Sequence, residues 1–160
     1  MKKKLNSNEH ESIKLMQREV SLPYSDAKPS EVTDVYWIYA KRREGKYPKP
    51  TRRSGKWLVF VEKKDVDEVW AEIKKAVEGG KLGSDAKVAT AKPNPHATNP
   101  NRRVICVYTY DYTDDKDVMR VREGLRTLGI TNKIPYKTDE DTLSGKYQIT
   151  GHTRISKYFE

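Results

Sequence analysis

Apolar and polar positions change period along this chain, and the changes mark out one pattern that occurs twice between residues 54 and 147. Residues 56–62 (KWLVFVE) are rich in β-branched and aromatic side chains, which predicts a strand. Residues 65–78 switch to helical spacing: Val66, Val69, Trp70, Ile73 and Val77 share one face, and Gly79 and Gly80 end the run. Asp65, with Glu68 three residues on, predicts a capping box at its start. A short β-rich run at 87–91 (KVATA) closes the unit. The second unit repeats the order, with a strand at 104–110 (VICVYTY), a helix over 114–128 and a β run at 132–136 (NKIPY). Val118, Val121, Leu125 and Leu128 form its buried stripe. Acids fill the first turn, and Arg120, Arg122 and Arg126 toward the end complement the helix dipole.

Residues 35–40 (VYWIYA) predict a further strand, and 146–150 and 154–159 two short ones that complete the sheet. Residues 137–145 read as a surface loop with a solvated acidic run at 139–141. In residues 1–33, Asn6, Ser7 and Asn8 can cap a short helix presenting Ile13, Met16 and Val20. Short charged helices are marginal in isolation, so a solvated tail is the favoured reading. The expected organisation is a flexible arm over 1–33 and a single domain over 34–160. A strand–helix–strand unit used twice predicts an α+β fold: an antiparallel sheet with both helices on one face, ferredoxin-like or a relative.

Composition narrows the chemistry. With 35% hydrophobic and 34% charged residues the core must be economical, and large aromatic side chains help to fill it. No run of 18 apolar residues exists and no apolar stretch follows the basic start, so neither a membrane span nor a signal peptide is expected. The single Cys106 lies in the most apolar strand; it reads as a small core residue, and a reducing cytoplasm is the expected compartment. His10, His96 and His152 show no metal-ligand spacing, and no Gly-rich loop opens a helix, so no metal or cofactor is expected. The net charge of +9 favours an anionic partner: nucleotide, nucleic acid or phosphoprotein. Most of that excess sits in residues 41–56, where eight cations face one acid, Glu44; Gly45, Pro48, Pro50 and Gly55 make the segment a loop.

Lys and Arg gathered at one rim of a sheet focus positive potential, and Arg grips phosphate oxygens with two bonds. Lys87, Lys92, Arg102 and Arg103 are expected beside the 41–56 loop if the two β edges adjoin. Faces alternate along a strand, so not all of them can enter one cleft. Tyr39, Tyr47, Tyr108 and Tyr110 can stack on a base; core packing fits Tyr108 and Tyr110 equally well. Trp70 is a core anchor before it is a ligand platform.

An ordered series of segments carries a family resemblance: GKWLVF at 55–60, VDEVW at 66–70, AKVAT at 86–90, VICVYT at 104–109 and IPYK at 134–137. Over residues 35–160 the chain resembles the family of the basophilic leukaemia-expressed protein. More distantly it is similar to the cap-binding translation initiation factor 4E family, in which a Gly-basic-Trp strand start, a Trp-bearing helix, a β run and a second long helix follow in the same order. There a later loop carries Asp-Thr and Ser-Gly, like Asp141-Thr142 and Ser144-Gly145 here. The resemblance implies a strongly curved antiparallel sheet with helices on its convex back and a ligand cleft on its concave side. It carries phosphate contacts onto Lys56 and Lys92; beside these, the residues themselves suggest Lys87 and Arg102 as assisting cations and Tyr47 as a stacking ring. The aromatic sandwich for methylated guanine has no counterpart, since the loop before Trp57 offers Tyr47 alone and no Trp-Glu pair.

Binding of a phosphorylated ligand (nucleotide, RNA end or phosphopeptide) is therefore the leading expectation. Members of the first family are also named as phosphothreonine lyase domains. For that alternative, β-elimination needs a base, an acid and cations around the leaving phosphate; Lys92 and His96, in the acid-free loop 92–101, are the candidates. A loop histidine is more often simply solvated. A third reading is a protein-interaction domain that uses the helical back.

Overall fold

The computed structural model describes residues 24, 26–95, 97, 99–143 and 157–160. The expected helix around residues 6–20, the strand at 146–150, all but the end of 154–159, and His10, His96 and His152 lie outside the described residues. A 3₁₀ turn, Pro29–Glu31, precedes the main elements. Strand β1 is Trp37–Lys41, β2 Gly55–Glu62, β3 Asp85–Ala89, β4 Arg102–Thr109, β5 Pro135–Thr138 and β6 Tyr158–Phe159. Helix α1 is Val66–Glu78, α2 Asp115–Thr127 and α3 Asp139–Leu143.

Each long helix forms where the apolar spacing places it. In α1, Val66, Trp70, Ile73 and Val77 are buried and Val69 is half-buried. The capping box does not form. Asp65 is itself αR (φ −105°, ψ −7°) and gives Val69 N–H its carbonyl at 3.1 Å rather than its side chain. α2 does start on a side-chain cap, since the Asp114 carboxylate accepts from Asp117 N–H at 3.1 Å.

The sheet order is β1-β3-β4-β2-β5-β6, and every pairing is antiparallel. Its four central strands are the two repeats interleaved: each strand–helix–strand unit straddles one strand of the other, the split βαβ arrangement. β1 and β6 extend the two edges. α1 and α2 both pack on one face of the curved sheet, so the expected α+β architecture is borne out.

That face is the core. Trp57 is fully buried and its Nε1–H donates to Val118 O of α2 at 3.0 Å. Its ring meets the Tyr136 ring edge-on at 5.2 Å, and Tyr158 packs beside both. Gly55 lets that cluster close, because a Cβ there would lie 2.4 Å from the Tyr136 hydroxyl. Arg122, expected as a helix-end cation, is buried within the core instead. Its guanidinium donates to the carbonyls of Ile130 (2.9 Å), Asn132 (2.7 Å) and Glu160 (3.0 Å), tying α2 to the β5 approach and to β6.

Two further expectations change. Residues 137–143 are not a solvated loop: Lys137 and Thr138 are buried in β5, and Asp139–Leu143 is a helical turn. They are ordered because β5 pairs with β2 and because Asp139 N–H bonds Ser54 O at 3.0 Å. In residues 28–32, Ser30 N–H and Oγ donate to the Asp67 carboxylate of α1 at 3.0 and 2.5 Å, and Val32 is buried.

A lysine-lined sheet face as the candidate functional site

Strand alternation sends every second side chain away from the helices. Because Trp57, Val59, Ile105, Val107, Ala86 and Val88 face the core, their neighbours Lys56, Leu58, Phe60, Tyr108, Cys106 and Lys87 share the opposite face. Register arranges them in rows. Lys137, Lys56 and Tyr108 lie opposite one another across β5, β2 and β4. In the next row Tyr39, Lys87, Cys106 and Leu58 cross β1, β3, β4 and β2. Trp37 and Ala89, then Val104 and Phe60, form the third.

Cys106 thus sits between Lys87 at its side and Lys56 on the diagonal, with Lys137 one strand beyond Lys56. Burial pushes its thiol up to about 11, and the charges of Lys87, Lys56 and Lys137 pull against that. At neutral pH this thiol is protonated and a poor nucleophile. Burial likewise holds the Tyr108 phenol well above its ordinary range. Lys137 is lowered, first by burial and then by the charge of Lys56. Asp139 pairs with Lys56: Lys56 Nζ lies 2.7 Å from its Oδ1, and Ser54 Oγ donates to its Oδ2 at 2.6 Å.

The face is closed at one side and open at the other. Lys56 and Lys137 are each 6% exposed, beside α3. On β1 Tyr39 is 51% exposed, farther along β2 Phe60 is 47% exposed, and Lys87 Nζ sits 4.0 Å over the Trp37 ring. Chemically the arrangement offers cations for an anion and ring faces for a planar group, close to each other.

Of the residues singled out from sequence, Lys56 and Lys87 are on this face, with Cα atoms about 12 Å apart from strand spacings. Lys92 does not join them. It follows the far end of β3, where its Nζ donates to Asp34 O at 3.4 Å and lies 4.3 Å over the Tyr36 ring. Arg102 starts β4, opposite Glu62 and six residues from the Tyr108 row, about 20 Å away. Neither lies beside the 41–56 loop, because antiparallel pairing puts that loop at the other end of the sheet. Tyr47 is turned inward. Its hydroxyl donates to Asp117 Oδ2 at 2.5 Å and accepts from Tyr110 N–H at 3.2 Å, and its ring packs edge-on against Tyr110. Lys137 and Asp139 were missed; the alternation of IPYK after a strand start was the available signal for Lys137.

Solved structures share this architecture. A schistosome eIF4E complexed with m7GpppG and 4E-BP aligns over 92% of this chain and 81% of its own, at 16% identity and a TM-score of 0.59. A second schistosome eIF4E complex, with m7GpppA and 4E-BP, covers 100% and 91% at 17% identity and a TM-score of 0.60. Ascaris suum eIF4E-3 with the m2,2,7G cap covers 90% and 79% at 18% identity and a TM-score of 0.55. At these identities the likeness is one of fold. No helix among the described residues is long and apolar enough to cross a membrane. The family model of the basophilic leukemia-expressed protein Bles03 matches residues 23–142, and the chain belongs to that family.

Proposed function

We propose that the sheet face opposite the helices binds a phosphorylated ligand, with Lys87 and Lys56 drawing the phosphate and Tyr39, Trp37 or Tyr108 contacting its planar part. The observation that carries the reading is the gathering of Lys56, Lys87 and Lys137 around Cys106. Lys87, Lys137 and the Asp139-paired Lys56, gathered on one side of the sheet, raise the local potential for an anion more than scattered surface lysines do. The eIF4E structures named above hold capped nucleotides on the same fold, which supports a nucleotide or RNA end over a phosphopeptide. The Trp-Glu pair that would select methylated guanine is missing before Trp57, so the reading stops at a phosphorylated nucleotide.

Binding is favoured over β-elimination. A lyase needs cations around the leaving phosphate. Lys92 instead donates to a backbone carbonyl at the sheet edge, apart from Lys56 and Lys87.

Titrating the full chain with nucleoside mono- and triphosphates at about 50 and about 200 mM salt tests the reading, since phosphate binding weakens with salt. Lys87→Ala is expected to weaken binding about tenfold, the loss of one charge-assisted contact. Affinity that is absent, or equal in the Lys87→Ala variant, sinks it. Incubation with a phosphothreonine peptide should give no dehydrated product by mass.

A further inference from the structure

The segment joining β1 to β2 runs across the end of the sheet and is pinned along its length. Arg42 N–H bonds Ser84 O at 2.8 Å, Arg43 N–H bonds Glu78 O at 3.0 Å, and Thr51 N–H bonds Tyr110 O at 3.0 Å. The Arg42 guanidinium donates to Leu82 O at 2.8 Å and Gly83 O at 3.2 Å, and the Tyr47 hydroxyl anchors the middle to α2. Gly80, at φ +74°, accepts the close approach, because a Cβ there would lie 2.5 Å from Glu44 O. Two cations of the loop are thereby used internally: Arg42 on carbonyls and Arg53 on Asp111. Arg43, Lys46, Lys49 and Arg52 are left exposed on a fixed backbone.

Lys46, Lys49 and Arg52 recur every third residue, with Pro48 and Pro50 between them. Proline fixes its own φ and holds the residue before it extended. An extended chain of this kind turns once in three residues at about 3.1 Å per residue, which puts Lys46 and Lys49 about 9 Å apart along one side; Arg52 follows in the turn that Ser54 N–H closes on Thr51 O at 3.2 Å. A lone phosphate meets one of them. A polymer with a phosphate at every unit meets all three.

We propose that this pinned basic rim is a track for the phosphate backbone of a single-stranded polynucleotide. The inference deepens the reading of the lysine-lined face by naming its ligand class, and rests on that reading for where the strand's end is held. β1 ends and β2 begins at the rim, so a strand whose terminal nucleotide lies by Lys56 and Lys87 leaves the face over Lys46, Lys49 and Arg52. Exposed cations on a fixed backbone, with Glu44 the one acid among residues 41–56, favour a polymer that carries a charge on every unit, as a polynucleotide does, over an acidic protein.

The test compares the full wild-type chain with the combined variant Lys46→Ser, Lys49→Ser, Arg52→Ser, which leaves every pinning residue in place. A twelve-nucleotide oligouridylate, uridine triphosphate and polyglutamate are each titrated across salt. Three lost contacts on a single strand should flatten the log–log salt dependence of oligonucleotide affinity by about 2, and weaken binding at least about tenfold at low salt. Triphosphate binding should not change. An unchanged slope, oligonucleotide affinity no greater than that of the triphosphate, or equal binding of polyglutamate overturns the track. If oligonucleotide binding depends on the rim but ignores Lys87→Ala, the track stands and the lysine-lined face falls. If neither nucleotide probe binds, both fall.

Discussion

The two faces of this sheet are built from alternate residues of the same strands, yet they solve opposite problems. The helix-covered face excludes water with Trp57, Ile105, Val107, Tyr136 and the stripes of α1 and α2, and among the described residues admits one cation, Arg122. That cation has three carbonyl partners, and burial lowers its affinity for its proton. The other face keeps Lys56, Lys87 and Lys137 within one patch, with Asp139 at one end. Like charges held together oppose folding, so the second face is organised at some cost to stability. The lesson is one of separation: substitutions on the first face should act on folding, and on the second on binding.

The largest effect expected is for Trp57→Ala, which removes a fully buried ring and its bond to Val118 O and should cost about 3–5 kcal/mol in denaturant unfolding. Arg122→Met keeps the volume but strips three carbonyls of their donor, and about 3 kcal/mol is expected. A cost under about 1 kcal/mol, within the range of an ordinary single hydrogen bond, would show that the clamp is dispensable. Either variant, while still folded, should bind nucleotide as the wild type does.

A smaller, pH-dependent effect concerns Asp111, between the faces. The Thr113 hydroxyl, with Arg53, Thr113 N–H and Thr51 also bonded to it, holds its carboxyl well below the ordinary carboxylate value of 3.8. A carboxyl lowered on folding stabilises the protein above its unfolded pKa, and that stabilisation fades as pH falls through the folded one. Asp111→Asn should therefore flatten the acid limb of stability below about pH 4, set by the unfolded carboxylate. Unfolding midpoints followed down to acid pH check this, and a limb as steep as in the wild type would contradict it. The smallest stability change is expected for Lys87→Ala, about 0.5 kcal/mol from its contact with the Trp37 ring, although nucleotide affinity drops. A large loss of stability with affinity unchanged would reverse the assignment of the two faces.

The helix-covered face was legible in the sequence because its information is periodic. Val66, Trp70, Ile73 and Val77, and Val118, Val121 and Leu125, declare their burial by spacing alone. The lysine-lined face was only half legible. That Lys56 and Lys87 point away from the core follows from alternation, but which lysines adjoin depends on strand order. β5 pairs with β2 across some eighty positions of sequence, and no local pattern announces that Lys137 comes to lie beside Lys56. The same gap misplaced Lys92 and Arg102, since their distance from the basic loop is fixed by strand direction. α3 is too short for a period to show, and its acids read as solvent-exposed until Ser54 and Lys56 claim Asp139. Tyr47 looked available as a platform because nothing in the loop reveals that Asp117, seventy residues on, receives its hydroxyl.

The distribution of tryptophans has a practical consequence. Trp57 and Trp70 are sealed behind the sheet, whereas Trp37 is half-buried on its other side under the Lys87 ammonium. Ultraviolet emission from the first two will shift when the molecule melts, while the third will dim or brighten when an occupant displaces that ammonium. Replacing Trp37 with phenylalanine separates the two signals, giving the chain a built-in optical readout of occupancy with no dye attached.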